Sequence, residues 1–362
     1  MKDMAAKRAA AGAKPAGEVG VGVIGVGIGR AHLRGYAQSP DARILAVCDI
    51  DHQRARAAAA ESSAEHVFTD HREMLKLDKL DAVSVCLPNY LHAVVSIDCL
   101  RAGKHVLCEK PLAMDAREGK RMVQAAQESG KLLMIALNNR FRGDTGVLKR
   151  FIEAGELGRI YFAKTGWLRR SGIPRGWFGV KEMSGGGPLI DLGVHMLDLA
   201  WDLRGKPRPV RAAGVTYSEV GPQERGQGGY GVGRGGGKFD VEDLAVALVR
   251  FEAGEAIQLE VSWASHIEHD RTFLDLYGTE GGASLEPQFR IFTDKHGVHV
   301  DLAAGSPKVS GHEMEVIHFV DCIRGRAQPI APGADGLLVQ RMLDAIYRSA
   351  ATGKEVAITG AG

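Results

Sequence analysis

The sequence predicts an α/β fold: a doubly wound parallel sheet comes first, and an α+β domain with a large, mostly antiparallel open sheet follows. Three observations lead to this prediction. A short apolar run is followed at once by a glycine cluster and a helix-compatible segment. Strands and helices then alternate up to about residue 137, which is typical of a parallel sheet covered on both faces. After residue 140 the pattern changes to successive strands separated by turn residues, which indicates a separate α+β domain.

The composition restricts the class of protein. The 362 residues are 45% hydrophobic and 25% charged, which is ordinary for a globular protein, and the length favours two domains. A net charge of +2, without a basic stripe interleaved with aromatic residues, argues against a nucleic-acid partner. The sequence has no run of about 18 apolar residues, so we expect no membrane span.

Two further features bear on the compartment. Residues 1–18 lack the apolar region of a secretion signal, so we expect a disordered tail there. The five cysteines form no C-x-x-C pair, and three of them lie in apolar runs. This pattern predicts buried free thiols in a reducing cytoplasm.

The first elements of the chain form a candidate dinucleotide site. A predicted strand at 21–24 leads into Gly25, Gly27, Ile28 and Gly29, and a predicted helix follows at 30–38. In this context glycines let a pyrophosphate reach the N–H groups at the helix start, although the third glycine comes one residue earlier than in G-x-G-x-x-G. A second strand at 44–48 ends at Asp49, 22 residues beyond Gly27. An acidic residue there binds ribose hydroxyls and repels a 2′-phosphate, which predicts NAD and disfavours NADP.

The alternation continues with predicted strands at 81–87, 105–109 and 131–137 and predicted helices at 90–101 and 115–129. Ligands of such sheets bind beyond the carboxyl ends of the strands. Two polar motifs lie at these ends, one with Leu87, Asn89 and His92 and the other with Glu109 and Lys110 before a proline. A lysine after a strand is often only solvated, but one held at the ligand edge of the sheet is a candidate for chemistry.

A nearly uniformly apolar helix is predicted from Pro188 to residue 205, directly after three glycines. Its polar exceptions are Asp191, His195, Asp198 and Asp202, whose spacing of four, three and four places them on one stripe. Such a stripe can be a solvated edge. Because it contains no Lys, Arg, Gln or Glu and begins beside glycines, we expect it to form one wall of an active site.

The second half contains predicted strands at 159–168, 210–218, 242–251, 256–263 and 271–277 and predicted helices at 312–322 and 334–351. Residues 221–237 include nine glycines, which predicts a loop or a partly disordered segment, either a mobile flap or a dispensable insertion. His312, Glu313 and His318 do not have H-E-x-x-H spacing, so we expect no metal site.

Several segments resemble the Gfo/Idh/MocA family of oxidoreductases. They are residues 25–32, 88–92, 102–111, 191–195 and 345–353, and the Glu-Lys-Pro and Asp-x-Gly-x-His motifs are specific in combination. The resemblance spans about residues 20–358. Within the family, segments 168–177 and 185–198 are similar to bacterial glucoside 3-dehydrogenases.

The resemblance implies an NAD-binding Rossmann domain at 19–138 and a substrate and oligomerisation domain at 139–330. A C-terminal helix and tail at 331–362 would pack back on the core. It also implies a homodimer or homotetramer and the catalytic set Lys110, Asp191 and His195. The predicted cofactor-binding residues are Gly25, Gly27, Ile28, Gly29, Asp49, Leu87, Asn89, His92, Glu109 and Lys110. The predicted substrate-binding residues are Arg170, Trp177, Asp191 and His195.

These features predict NAD-dependent oxidation of a secondary ring hydroxyl of a sugar or glycoside, at C3 from the closer resemblance, to a ketone. His195 would be the base because an imidazole titrates near working pH. Asp191 would hold the imidazole tautomer, and Lys110 would supply positive charge where the alkoxide develops. Trp177 and Arg170 could contact the sugar, but they fit equally well as core filler and surface charge.

Three alternatives stay open. One is an inositol or anhydrosugar dehydrogenase. Another is an NAD-dependent glycoside hydrolase acting through a 3-keto intermediate. The third is a non-catalytic regulator that binds NAD and sugar, which the complete set of Lys110, Asp191 and His195 disfavours.

Overall fold

The computed structural model describes residues 17–231 and 238–360 of the chain. Most of the predicted N-terminal tail, and residues 232–237 of the glycine-rich segment, lie outside the described residues.

The first half of the chain forms a six-stranded parallel sheet in the order β3-β2-β1-β4-β5-β6. Its strands are β1 (Val19–Ile24), β2 (Ala42–Cys48), β3 (His66–Phe68), β4 (Ala82–Val85), β5 (His105–Glu109) and β6 (Leu133–Ala136). The strand order reverses between β1 and β4, which opens a crevice at the carboxyl ends of the strands. The predicted doubly wound sheet is confirmed, although the short strand β3 carried too little sequence to be predicted.

Helices cover both faces of this sheet: α1 (Gly29–Gln38), α2 (His52–Ser62), α3 (His71–Met74), α4 (Asn89–Arg101) and α5 (Ala116–Ser129). Aspartates cap three of them. Asp51 accepts from the N–H groups of Gln53 and Arg54, and Asp115 accepts from those of Arg117 and Glu118. These caps fix where α2 and α5 begin.

The second sheet has nine strands in the order β16-β15-β14-β13-β7-β12-β11-β9-β17, and all neighbours are antiparallel except β7 and β12. Its strands are β7 (Ile160–Leu168), β9 (Pro209–Tyr217), β11 (Leu244–Phe251), β12 (Ala256–Ser262), β13 (Arg271–Gly278), β14 (Gly281–Ser284), β15 (Arg290–Lys295), β16 (Val298–Leu302) and β17 (Val356–Ala357). The five predicted strands form its centre, and the four unpredicted ones form its edges. A large, mostly antiparallel sheet is thus confirmed.

Part of the glycine-rich segment is ordered, contrary to the expectation of a loop throughout. Strand β10 (Gln227–Gly231) pairs in parallel with β8 (Ile173–Arg175). Glycine patterning hid this strand because pairing uses backbone groups and needs no apolar side chain.

The remaining helices are α6 (Gly143–Glu153), α7 (Lys181–Ser184), α8 (Val194–Leu203), α9 (Gly311–Ile323) and α10 (Gly333–Thr352). Helix α9 returns to the first sheet and packs on α1, where a Cβ at Gly35 would lie 2.8 Å from Val316. Near the C-terminus, the two-residue strand β17 pairs with β9 at the edge of the second sheet. Within the described residues, no helix is both long and apolar enough to cross a membrane.

The segment before α8 differs from the continuous helix that the sequence predicts. Residues Leu189–Gly193 form a π-helical turn before the α-helix begins at Val194. Turns of this kind are frequent at functional sites because they change the direction of the side chains. Asp191 lies on the π turn and His195 at the start of the α-helix.

Only half of the predicted polar stripe lines the cavity: Asp191 and His195 do, and Asp198 and Asp202 do not. Asp198 is 1% exposed and accepts two hydrogen bonds from Arg140, at 2.9 and 2.6 Å. Asp202 also lies 3.3 Å from Arg140 and 2.6 Å from Lys149. The lower half of the stripe is therefore a buried ion-pair network that ties α8 to neighbouring elements, because a buried carboxylate needs a cationic partner.

Candidate active site

The glycine turn after β1 forms a cradle made of backbone. Gly25 has φ +87°, and a Cβ there would lie 2.2 Å from the carbonyl oxygen of Cys86, so only glycine fits. Gly27 faces open space, and a Cβ at Gly29 would lie 2.8 Å from Val23, so Gly29 lets α1 pack closely on β1. The early third glycine therefore keeps the packing role of the last glycine in a dinucleotide loop.

Asp49 follows β2 beside this turn and is 7% exposed. Its carboxylate accepts hydrogen bonds from the N–H groups of Val26 and Asp51, each at 3.0 Å, and lies 3.6 Å from Arg54. Each oxygen keeps a lone pair for a further donor. An acceptor with this placement, next to an open glycine turn at a helix N-terminus, fits the adenosine side of NAD.

Leu87, Asn89 and His92 surround the next strand end but differ in what they contact. Asn89 donates a hydrogen bond of 2.7 Å to the carbonyl oxygen of Ser184, which joins α4 to the glycines before Pro188. Both ring nitrogens of His92 lie 2.7 Å from backbone carbonyls, those of Pro111 and Leu87. Burial lowers the pKa of His92. His92 therefore links the segments that follow β4 and β5.

Glu109 is buried at the end of β5. Its carboxylate contacts His32 Nε2 at 3.1 Å and accepts the N–H of Lys110 at 3.1 Å. Burial alone would raise the pKa of Glu109, but the bond to His32 and the charge of Lys110 outweigh it and hold this pKa at about 2. Glu109 is thus a permanent negative charge beneath Lys110.

The side chains of Lys110 and Asp191 meet across the two halves of the molecule. Lys110 Nζ donates to Asp191 Oδ1 at 2.8 Å and to the Asp191 carbonyl oxygen at 3.0 Å. Trp263 Nε1 donates to the other carboxylate oxygen of Asp191 at 2.9 Å. Burial opposes ionisation of Asp191, but the Lys110 charge prevails and lowers its pKa.

His195 lines the same cavity as this pair. Its Nδ1 is buried and has no hydrogen-bond partner among the described residues, and its ring centroid is 6.3 Å from that of Trp167. Burial, followed by the charge of Lys110, lowers the pKa of His195 to about 3. Two expectations differ from the structure: the pKa of His195 lies far below neutral pH, and His195 Nδ1 makes no hydrogen bond to Asp191.

All three residues line one cavity of about 350 Å³. Of the sequence-predicted residues it contains Ile28, Leu87, Asn89, Glu109, Lys110, Trp177, Asp191 and His195. Seven residues that were not predicted from the sequence also line the cavity: Asn138, Asn139, Trp167, Arg169, Phe178, Leu192 and His312. A sequence signal exists for Asn138, which lies two residues beyond the carboxyl end of β6, but none was recognised for His312 as a cavity residue.

Arg170, which the sequence predicts to bind the substrate, does not line this cavity. It is exposed, and its guanidinium donates to the carbonyl oxygen of Glu268 at 2.6 Å, outside the cavity. The neighbouring Arg169 lines the cavity instead. Both residues follow the end of β7 at Leu168, and only Arg169 faces the cavity.

Comparison with known proteins agrees with this geometry. Residues 19–137 match the model of an oxidoreductase family with an NAD-binding Rossmann fold, and residues 147–284 match the GFO/IDH/MocA C-terminal domain. The chain is 34% identical over 343 residues to D-glucoside 3-dehydrogenase of Escherichia coli (strain K12), covering 93% of this chain and 96% of that protein. It is 32% identical over 279 residues to levoglucosan dehydrogenase of Pseudarthrobacter phenanthrenivorans, covering 72% of each.

Solved structures show the same likeness. Levoglucosan dehydrogenase in complex with NADH and levoglucosan superposes with a TM-score of 0.82 at 25% identity, covering 94% of this chain and 100% of that one. The chain belongs to the Gfo/Idh/MocA family of oxidoreductases, as an NAD-dependent dehydrogenase of the sugar and polyol type.

Proposed function

We propose that the protein oxidises the C3 hydroxyl of a glucoside to a ketone, with NAD as the hydride acceptor. The observation that carries this proposal is the meeting of Lys110, Asp191 and His195 in one cavity at the carboxyl edge of the first sheet. The C3 position is supported by the name of the D-glucoside 3-dehydrogenase relative. NAD, when bound, accepts the hydride at its nicotinamide ring.

Lys110 and His195 divide the work on the reacting hydroxyl. The Lys110 ammonium favours the developing alkoxide electrostatically. His195 presents a neutral ring to the reacting hydroxyl between pH 5 and 8, since its pKa is about 3. This ring accepts the hydroxyl proton as the hydride leaves, and because so low a pKa makes it a weak base, it then releases the proton to solvent. Asp191 positions the Lys110 ammonium by accepting its hydrogen bond.

The cavity also has aromatic lining residues, Trp167, Trp177 and Phe178. The rings of Trp177 and Phe178 stack with centroids 4.0 Å apart. Flat apolar rings suit the C–H face of a pyranose, and burial of that face orients the hydroxyl edge toward Lys110 and His195. We therefore assign Trp177 a substrate-binding role.

The experiment is a primary kinetic isotope effect on NADH formation. Methyl glucosides deuterated singly at C2, C3 or C4 are compared with the unlabelled compound. Only the C3 label should slow the reaction, because only that C–H bond breaks. An effect at C2 or C4, or turnover of only inositols or anhydrosugars, would contradict the proposal, and release of the aglycone without net NADH would indicate the hydrolase instead.

We further propose that the protein forms a homodimer or homotetramer through the outer face of the second sheet. Strand register places Val215, Tyr217, Tyr277 and Phe292 on the same face, and all four are exposed. Exposed apolar residues gathered on one sheet face are typical of a contact between copies. Light scattering coupled to gel filtration tests this; a monomer at micromolar concentration would contradict it.

A further inference from the structure

Arg169 differs from the other charged groups of the cavity. Lys110 and Asp191 neutralise each other, and Glu109 is bound by His32 and by the N–H of Lys110. Arg169 also lines the cavity, but within the described ranges no carboxylate lies within the 4.0 Å of an ion pair from it. Its guanidinium donates to the carbonyl oxygen of Gly172 at 3.1 Å and lies 5.0 Å from the ring centre of Trp167.

These contacts orient the guanidinium but engage only one of its N–H donors in a hydrogen bond. A guanidinium has five N–H donors in a fixed planar fork, and the described contacts engage one of them. Packing on Trp167 restricts its movement, so little freedom is lost when a second partner binds. A held guanidinium with free donors, facing a cavity, matches a carboxylate or phosphate.

The surrounding segment has the same sign of charge. Residues 169–181 contain Arg169, Arg170, Arg175 and Lys181 and no acidic residue. Asp270 and Asp240 lie close to Arg170 and Lys181, where they accept the backbone N–H groups. These carboxylates offset part of the positive charge of Arg170 and Lys181, whereas Arg169 has no ion-pair partner among the described residues and can attract an anionic ligand.

The position of Arg169 defines which part of a substrate it would meet. The ring of Trp167 is close to both groups, with its centroid 6.3 Å from that of His195 and 5.0 Å from the Arg169 guanidinium. A pyranose lying along this indole with its C3 hydroxyl at His195 turns the far side of its ring toward Arg169. That side carries the C1 and C6 substituents.

We propose that Arg169 binds an anionic group, a carboxylate or a phosphate, carried at C1 or C6 of the sugar substrate. This inference rests on the proposed oxidation at C3 and narrows its substrate class to acidic glucosides. Arg169 is neither in the proposed catalytic set nor among the predicted cofactor-binding residues.

The test pairs acidic substrates with neutral counterparts of similar shape. Methyl glucuronide and methyl glucoside 6-phosphate place the charge at C6, and 4-carboxyphenyl glucoside places it on the aglycone. Methyl glucoside and 4-carbamoylphenyl glucoside are the neutral partners. We expect kcat/KM to favour at least one acidic member by 10-fold or more, and which one shows where the anion lies.

Arg169→Gln should then lower kcat/KM for that acidic substrate by roughly 10- to 100-fold, the usual worth of a hydrogen bond between charged groups. The neutral partner should change little. Arg170→Gln is the matched control, because Arg170 is outside the cavity. Arg169→Lys should recover only part of the loss, since an ammonium lacks the planar fork.

The inference is overturned if neutral and acidic substrates are equal in the parent enzyme, if Arg169→Gln affects both alike, or if Arg170→Gln has the same selective effect. C3 oxidation of neutral glucosides without any acidic preference would remove this inference and leave the proposed function intact. Absence of NADH with every substrate would remove both.

Discussion

Lys110 and Asp191 are joined by a 2.8 Å ion pair although 81 residues separate them in the chain. One belongs to the strand end of the NAD-binding half and the other to the π turn that begins the helix of the second half. Because the Lys110 ammonium also donates to the Asp191 backbone carbonyl, its position is fixed from two sides. The charge of Lys110 keeps Asp191 ionised, and burial, followed by the same charge, keeps His195 neutral.

Substitutions of Asp191 and Asp198 should have different effects, the first on catalysis and the second on stability. Asp191→Asn should lower kcat by roughly 10²- to 10⁴-fold, since Lys110 loses its partner, with little change in Tm. Asp198→Asn should destabilise the fold by roughly 2–5 kcal/mol, since Arg140 is left partly unpaired in the interior, with little change in kcat. Steady-state kinetics and thermal unfolding on both variants check this. A large kcat loss in Asp198→Asn would return that residue to the active site.

The pH profile should lack an acid limb from His195. The neutral ring is the active form, and a pKa near 3 keeps it neutral throughout the range between pH 5 and 8. In Lys110→Met the ring no longer feels the positive charge, so its pKa and the acid limb of kcat/KM should move upward, while burial still holds this pKa below the ordinary 6.5. A profile whose acid limb near pH 6.5 is the same in both proteins would mean that His195 is not held by this environment.

Asp49→Ser should relax the preference for NAD. The carboxylate beside the glycine turn repels a 2′-phosphate, and serine removes that charge while keeping a hydroxyl for the ribose. We expect kcat/KM for NADP to rise relative to that for NAD. An unchanged ratio would contradict the assignment of Asp49 to the ribose.

Glu315→Gln should stabilise the protein at neutral and alkaline pH. Glu315 is fully buried, its carboxylate oxygens have no hydrogen-bond partner among the described residues, and it clusters with His32 and Glu109. Burial and the charge of Glu109 raise its pKa well above the ordinary 4.5. The folded state therefore holds this proton more tightly than the unfolded chain does, and stability is lost as pH rises above 4.5.

Glutamine keeps the shape of Glu315 without the titration. The gain in unfolding free energy should be about 1–3 kcal/mol at pH 8 and should vanish near pH 4. Denaturant unfolding at both pH values measures it. A variant that is destabilised equally at both pH values would show that ionisation of Glu315 does not lower the stability of the folded protein.

Local patterns predicted the fold well. Buried parallel strands are continuous apolar runs, and the aspartate caps and glycine stops of the helices are visible in the sequence. Edge strands such as β15 and β16 lack this signal because they are short and half exposed. Strand β10 lacks it because its pairing uses backbone alone.

The site was only partly predictable, because its chemistry depends on distant contacts. Motif spacing pointed to Lys110, Asp191 and His195, but no local pattern indicates that Trp263 occupies the second oxygen of Asp191. The low pKa of His195 likewise follows from burial and from a charge 85 residues earlier in the chain. Arg169 and Arg170 are adjacent residues of the same type, and no sequence pattern indicates which of them lines the cavity.

The most direct test of the central claim is a double-mutant cycle on kcat with Lys110→Ala and His195→Ala. Each single variant should lose roughly 10²- to 10⁴-fold. If both groups act on one hydroxyl in one cavity, the double variant should be little slower than the slower single variant, as for residues that act as a unit. Losses that simply multiply would mean that Lys110 and His195 act independently, and the account would be wrong.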